Sequence, residues 1–372
     1  MNKQILKQQV KDKKITKRFA LLLCAQLLAA GSLTGCGQAD GQTGSTQSVV
    51  SQETAENTVV MTIEDYDVNL DEMYLYLIQY CYNNRLSSDD VDASKTEDVI
   101  NSAISEMKLE IVEYLLAQNT DELDVTEDDL ATVSTGADAF YEHFGEDFLS
   151  SYGIDYDCLE ELFTRQVYIS AITDKAMNDM IADYTEQYEE QYADLNFHTV
   201  YYALFPSVQY DEDGNAVTDD DGNYMTLSDE EMQKQYALAE ELRDRALAGE
   251  AMEDLVSEYG IDYCSGTERN YDGAYGQELN DVIAGMAEGD ISDVIKTDAG
   301  YMVVRMDNLN DEDYKAYTIS YMASQNANNL LPTMQENWLT QSGVENVTAD
   351  DAVLNTIDLA ALCKDMENRD LY

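Results

Sequence analysis

Between residues 95 and 119 the apolar side chains recur every three or four positions: Val99, Ile100, Ile104, Met107, Ile111, Leu115 and Leu116. That spacing predicts an amphipathic helix. A second stripe of Leu159, Leu162, Phe163, Val167, Ile169, Ile172 and Met177 predicts a long helix over 155–184. Neither helix can bury its stripe alone, so a bundle is expected from about 60 to 194, preceded over 58–68 by one strand and a turn. After Asn196 the period drops toward two, and FHTVYYALFP over 197–206 reads as a strand. QYDEDGNAVTDDDGNYMTL follows, with two Asp-Gly-Asn turn signals that predict an inserted surface hairpin. Ser228-Asp229-Glu230-Glu231 has the form of a capping box, opening a helix that runs to about Leu247 and stops at Gly249. A shorter helix is expected over 251–259, and the pattern turns helical again over 311–338. The fold class this implies is α+β.

The first residues add a different element. Seven Lys and Arg side chains between Lys3 and Arg18 precede an apolar run, Phe19 to Leu33, and then Leu33-Thr34-Gly35-Cys36. The run has 15 residues, short of the roughly 20 that a spanning helix needs. The order of charged, apolar and Gly-Cys segments therefore reads as a secretion signal over 1–35 ending in a lipobox, with Cys36 as the lipidation site. Residues 37–57 are rich in Gly, Ser, Thr and Gln, the composition of a flexible tether.

Charge narrows the choice of partners. The chain carries 21 Lys and Arg against 75 Asp and Glu, a formal charge of −54. Without residues 1–35, which hold seven bases and one acid, 14 bases face 74 acids and the charge is −60. No basic cluster remains to release counterions from phosphates, so nucleic acid is excluded as a partner. The acidic surface is expected to keep an exported chain soluble. Cys81, Cys158, Cys264 and Cys363 lie far apart, without zinc spacing, and allow three pairings; free, mostly buried thiols are the expectation. Neither Asp-Gly-Asn turn fits a calcium loop, because counting back from Gly214 or Gly222 puts Gln209 or Val217 at the first ligand position. No metal or cofactor is expected.

Residues 279–306, LNDVIAGMAEGDISDVIKTDAGYMVVRM, carry the most specific signal. Their spacing resembles the C-terminal half of a parvulin-type peptidyl-prolyl isomerase domain, with its pattern G-E-[IV]-S-x-P-V-x-T-x-x-G-[YF]-H. The order of strand, long helix, short helix, loop, helix and strand over 197–306 is similar to the rest of that fold. The upstream layout, with Tyr152-Gly153-Ile154-Asp155 opening a long helix, resembles the chaperone region of PrsA-type foldase lipoproteins and SurA-type periplasmic chaperones. The resemblance implies a discontinuous helical chaperone bundle with an inserted parvulin-like domain of antiparallel sheet and helices. Its boundaries are a bundle region 58–194, an insertion 195–308, and a C-terminal segment 309–372 packing back on the bundle. The resemblance of the first 36 residues to bacterial lipoproteins implies cleavage before Cys36, and hence a lipid-anchored protein on the extracytoplasmic face of the membrane.

In that family two strand histidines hold a polar cluster beneath the twisting amide, and a Cys or Asp faces the substrate. Matching YYALF to the family's first strand puts Tyr202 at the first histidine, and matching TDAGYM puts Met302 at the second. Ala299 replaces a Ser, Thr or Gly. Gly260-Ile261-Asp262 matches S-x-D, so Asp262 keeps the acidic position. Leu204, Leu279, Met286 and Ala299 are the positions expected to line the proline pocket. The segment Arg269 to Gly276 is expected to be a loop where the family has a strand and turn. A tyrosine hydroxyl can partly stand in for an imidazole donor, whereas a thioether essentially cannot. His143 and His198 are expected to be ordinary bundle and strand residues, and Met302, Val304 and Met306 to share one strand face.

Two functions follow from the resemblance: a chaperone for unfolded or proline-containing exported polypeptides with weak or no isomerase activity, or an active isomerase. The 27 Tyr and 15 Met suit adaptable contact with varied chains. A lipoprotein that binds a small solute is a third class, but the repeated βαβ units of a two-lobed receptor are absent from the pattern.

Overall fold

A computed structural model of the chain describes residues 51–372, apart from Glu122, 211–215, Asp220 and Asn223. The signal segment, Cys36 and most of the tether lie outside the described residues. The chain divides into two compact units: one from the segments ending at Met180 and beginning at Ala327, the other from Ile181–Asn326.

The first unit opens with a single helical turn, Gln52–Ala55, which corrects the end of the expected tether, since Ala55 is closed to solvent. A hairpin follows, β1 (Val59–Ile63) against β2 (Tyr66–Asn69), where one strand and a turn were expected. Asn69 then leads into α1 (Leu70–Asn84), which buries residues on nearly every side: Met73, Leu75, Leu77, Ile78 and Cys81 are all closed to solvent. A helix apolar all round belongs at the centre of a bundle. Arg85, in the left-handed region, ends it. Asp92 caps α2 (Ala93–Gln118), and a Thr126/Asp129 capping box starts α3 (Glu127–Phe144). Next come the short α4 (Glu146–Ser151) and the long α5 (Tyr156–Gln191). Helix α5 extends past the expected end at 184 because Glu, Gln and Tyr keep it helical after its apolar stripe stops. Gly136 is needed where α3 meets α5, since a Cβ there would come within 2.7 Å of the Phe163 ring.

The second unit is built on a four-stranded antiparallel sheet in the order β4-β3-β6-β5. Its strands are β3 (Phe197–Pro206), β4 (Gly266–Tyr271), β5 (Ile295–Lys296) and β6 (Gly300–Asn308). The expected loop over Arg269–Gly276 is thus corrected in part: Arg269, Asn270 and Tyr271 pair with Thr199, His198 and Phe197. Three helices accompany the sheet: α6 (Asp229–Leu247), α7 (Met252–Tyr259) and α8 (Gln277–Ile283). The Ser228/Glu231 capping box is formed, and Gly249 follows α6 at φ +101°. The excursion between β3 and α6 makes isolated bridges, Val208 to Thr226, Tyr210 to Ala216 and Thr218 to Tyr224.

Alternation sorts the strand residues to two faces. Ala203, Phe205 and Val303 pack with Ala239, Leu242, Leu255 and Val256 of α6 and α7. Val200, Tyr202, Met302, Val304 and Met306 pack with Ile283, Leu279 and Met286. An aromatic group of Tyr188, Tyr192, Phe197, Tyr271 and Tyr314 closes a third cluster. The chain ends with α9 (Glu312–Ser342), which contains Pro332, and α10 (Leu359–Asn368); the two unit boundaries fall inside α5 and α9. Trp338 and Leu339 are half-buried against the bundle core.

Candidate functional site

The site begins with the pairing of β3 and β6. Leu204 lies opposite Met302, and Tyr202 opposite Val304, so Tyr202 and Met302 are diagonal neighbours on one face. Ile295 of β5 pairs with Met302 on its other side. The register depends on Gly300, at φ +149°, where a Cβ would stand 2.2 Å from the Phe205 carbonyl oxygen. Only glycine lets the two backbones approach that closely.

Opposite this face, α8 and the turn after it supply Leu279 and Met286, both half-buried and packed with Tyr202 and Met302. The structure therefore brings four of the sequence-derived positions into one half-open apolar cluster, with Leu204 beside Met302 in the sheet. Met302, Val304 and Met306 share the face as expected. The Tyr202 hydroxyl has no hydrogen-bond partner among the described residues. Burial, with the nearby Glu268 and Cys264, raises its pKa, so it stays protonated and can only donate or accept as a neutral group.

Two candidates are placed elsewhere. Ala299 is exposed in the turn between β5 and β6, and its carbonyl accepts from the Ser207 amide at 2.8 Å. Asp262 is exposed on a turn of 3-10 helix, Asp262–Cys264, and accepts from Ser257 Oγ at 2.6 Å. It makes no hydrogen bond to Tyr202.

Cys264, two residues on, reaches the site instead. Its thiol donates to the Leu204 carbonyl at 3.0 Å, and Ser265 Oγ accepts from the Leu204 amide at 3.1 Å. Burial pushes the Cys264 thiol up to about 11, which keeps it a neutral donor rather than a thiolate nucleophile. The sequence treated Cys264 only as a buried thiol; its place in the loop after the second helix was the signal. His198 is also on the Tyr202 face, but four residues away along β3, about 13 Å. It is 1% exposed, its ring lies 5.7 Å from that of Tyr275 at a tilt of 32°, and burial lowers its pKa against the pull of Asp272. The single imidazole of this sheet is thus held toward its neutral form and lies apart from the cluster of Tyr202 and Met302.

The bundle holds a second feature. Val112, Leu115, Leu116 and Trp338, with the polar Glu64, Asn119, Gln341 and Ser342, line a half-open cavity of about 250 Å³. In the second unit tyrosines stand out to solvent, among them Tyr224, Tyr263 and the stacked pair Tyr317 and Tyr321. Among the described residues no group of three or more His, Cys, Asp or Glu could hold a metal ion, and no helix is long and apolar enough to cross a membrane.

Residues 178–318 match the family model of the PPIC-type PPIase domain. This segment is therefore a parvulin-type domain. No curated protein is similar at a significant level. Among solved structures, the foldase protein PrsA from Lactococcus lactis is 13% identical, with 83% of this chain and 99% of that chain covered and a TM-score of 0.36. The foldase PrsA from Streptococcus pneumoniae is 13% identical over 82% of this chain and all of that chain, with a TM-score of 0.28. A SurA-like chaperone of Campylobacter jejuni is 11% identical over 79% and 100%, with a TM-score of 0.22. These whole-chain superpositions are loose, and it is the match over 178–318 that defines the class.

Proposed function

We propose that this protein is an extracytoplasmic chaperone of the foldase type, held to the membrane by a lipid on Cys36, that binds unfolded exported polypeptides. Its parvulin-like domain accelerates prolyl isomerisation weakly or not at all. The observation that carries this reading is the make-up of the sheet face: Tyr202 and Met302 stand among Leu279, Met286 and Val304 where the family places imidazoles. Rotation about an X–Pro bond faces a barrier of ~18–20 kcal/mol, and losing one preorganised donor costs about 3 kcal/mol of catalysis. An apolar face without that donor set still offers area to an unfolded chain. The exposed tyrosines add contact surface with a polar tip. We also propose that the segment 195–308 folds as an insertion in a bundle made from both ends of the chain; the continuous unit Ile181–Asn326 supports this.

An active isomerase is the second reading, favoured by the protonated hydroxyl of Tyr202 and thiol of Cys264 at the end of β3. Asp262 and Tyr202 would then carry the turnover. Two assays on the chain from residue 37 onward separate the readings: exchange of an X–Pro reporter peptide, and suppression of aggregation of a denatured protein. The chaperone reading expects aggregation to be suppressed and exchange to stay near its uncatalysed tens to hundreds of seconds. Fast exchange that disappears in Asp262→Ala would put the enzyme first. Loss of membrane association in Cys36→Ser tests the anchor, and circular dichroism of the excised segment tests the insertion.

A further inference from the structure

The four cysteines outside the signal allow three pairings, and the fold selects one contact. Cys81, in the last turn of α1, and Cys363, in the middle of α10, are 282 residues apart in sequence, yet their Sγ atoms lie 3.4 Å from each other. Both are fully buried in the first unit's core. Cys158 and Cys264 make no sulfur–sulfur contact among the described residues.

The contact sits inside a docking joint with its own polar clasp. Glu367 of α10 accepts from Ser87 Oγ at 2.9 Å, the Ser88 amide at 2.8 Å and Ser88 Oγ at 2.8 Å. Those bonds hold its carboxyl down to about 2, so the clasp persists across the neutral range. The Tyr372 hydroxyl donates to the Leu86 carbonyl at 2.8 Å. The thiols are thus fixed by bonds on both sides, at the segment that follows α1. A disulfide needs the sulfurs at about 2.05 Å, a closure of about 1.4 Å that side-chain rotation can supply.

We propose that Cys81 and Cys363 are a disulfide-forming pair that fastens α10 to α1, oxidised by thiol–disulfide exchange with a small-molecule or protein disulfide. The Cys363 thiolate attacks one sulfur of the external disulfide, forming a mixed disulfide and expelling a thiolate. The Cys81 sulfur, its proton lost to solvent, then attacks Cys363 Sγ and expels the second thiolate. Two protein thiols are oxidised, one external disulfide is reduced to two thiols, and the two protons end on those thiols. Because the docked sulfurs are closed to solvent, exchange takes place as α10 docks during folding. The inference rests on the extracytoplasmic reading only for its oxidant.

The test starts from the unaltered chain. The whole chain, in detergent, is unfolded, refolded in oxidised and reduced glutathione, and alkylated with N-ethylmaleimide after denaturation. Intact mass should show two fewer adducts than a sample refolded in dithiothreitol, and digestion should yield a linked pair of peptides containing Cys81 and Cys363. Cys158→Ser and Cys264→Ser should keep the link, and Cys363→Ser should lose it. The oxidised protein should melt about 5 °C or more above the reduced one, a gap that vanishes in Cys363→Ser. Complete alkylation of both cysteines after oxidative refolding, or a link from Cys81 to Cys158, would overturn the pairing. Neither result would bear on aggregation suppression, so the chaperone reading is tested separately.

Discussion

The interior of the helical unit and the open face of the parvulin-type sheet use polar groups in opposite ways. Inside the bundle, Arg165 is 3% exposed and pairs with Glu72 at 2.5 Å. It also donates to the Tyr66 hydroxyl at 2.9 Å. Nearby, the Glu110 carboxylate accepts from Tyr76 and from Gln166, and Glu113 accepts from Gln335 at 2.8 Å. Burial works against the Arg165 charge, and the surrounding Glu72, Tyr76, Tyr66 and Glu110 more than offset it, raising its pKa. On the sheet, the Tyr202 hydroxyl has no hydrogen-bond partner among the described residues, and Met302 packs with Tyr202 and apolar side chains. Buried polar networks fix one arrangement at high cost if broken, whereas an apolar, half-open face tolerates many occupants. Under the proposed chaperone function, the contrast would separate a bundle held in one arrangement from a face open to varied clients.

The contrast is most exposed to Arg165→Met. Removing the cation strands the Glu72 carboxylate, and a loss of about 3–5 kcal/mol in urea unfolding is expected. Adding Glu72→Gln should recover most of it; a near-zero effect of the single change would show that the network does not organise the bundle. Next comes pH. Burial pushes the Glu113 carboxyl up to about 7, above its value in the unfolded chain, so its contribution is fully present below about pH 4.5 and is lost as pH rises through about 7. Stability should fall across that window by on the order of 3 kcal/mol, and Glu113→Gln should flatten this part of the profile.

On the sheet, Tyr202→His with Met302→His restores both imidazole positions and should raise X–Pro exchange by up to about a hundredfold, with aggregation suppression unaltered. No gain would mean that the surrounding face, and not the two side chains alone, has lost the chemistry. The smallest expected effect is that of Asp262→Ala. Its exposed carboxylate accepts a hydrogen bond from Ser257 Oγ, away from the sheet face, so aggregation suppression should be unchanged within error.

The sequence was readable wherever one local period governed. The stripes of α2 and α5, the capping box of α6 and the alternation of β3 and β6 each depend on neighbours within four residues. The cluster of Tyr202, Met302, Leu279 and Met286 was legible because a family spacing joins its distant pieces. Strand β4 was missed because Glu268, Arg269 and Asn270 lack the apolar alternation of a strand; pairing with β3 holds them extended. The bundle network was invisible because Glu113 and Gln335 are 222 residues apart, and no local pattern records a contact at that range. The same holds for Cys81 and Cys363, and Cys264 escaped notice because its role is a bond to a backbone carbonyl.

Trp338 is the chain's one tryptophan, and it lines the bundle cavity. Excitation at the red edge of the absorption band therefore illuminates a single address in the molecule, with the 27 tyrosines left dark. A shift in emission colour or a loss of iodide quenching on adding a client would report occupancy of that cavity directly, without label or engineered probe.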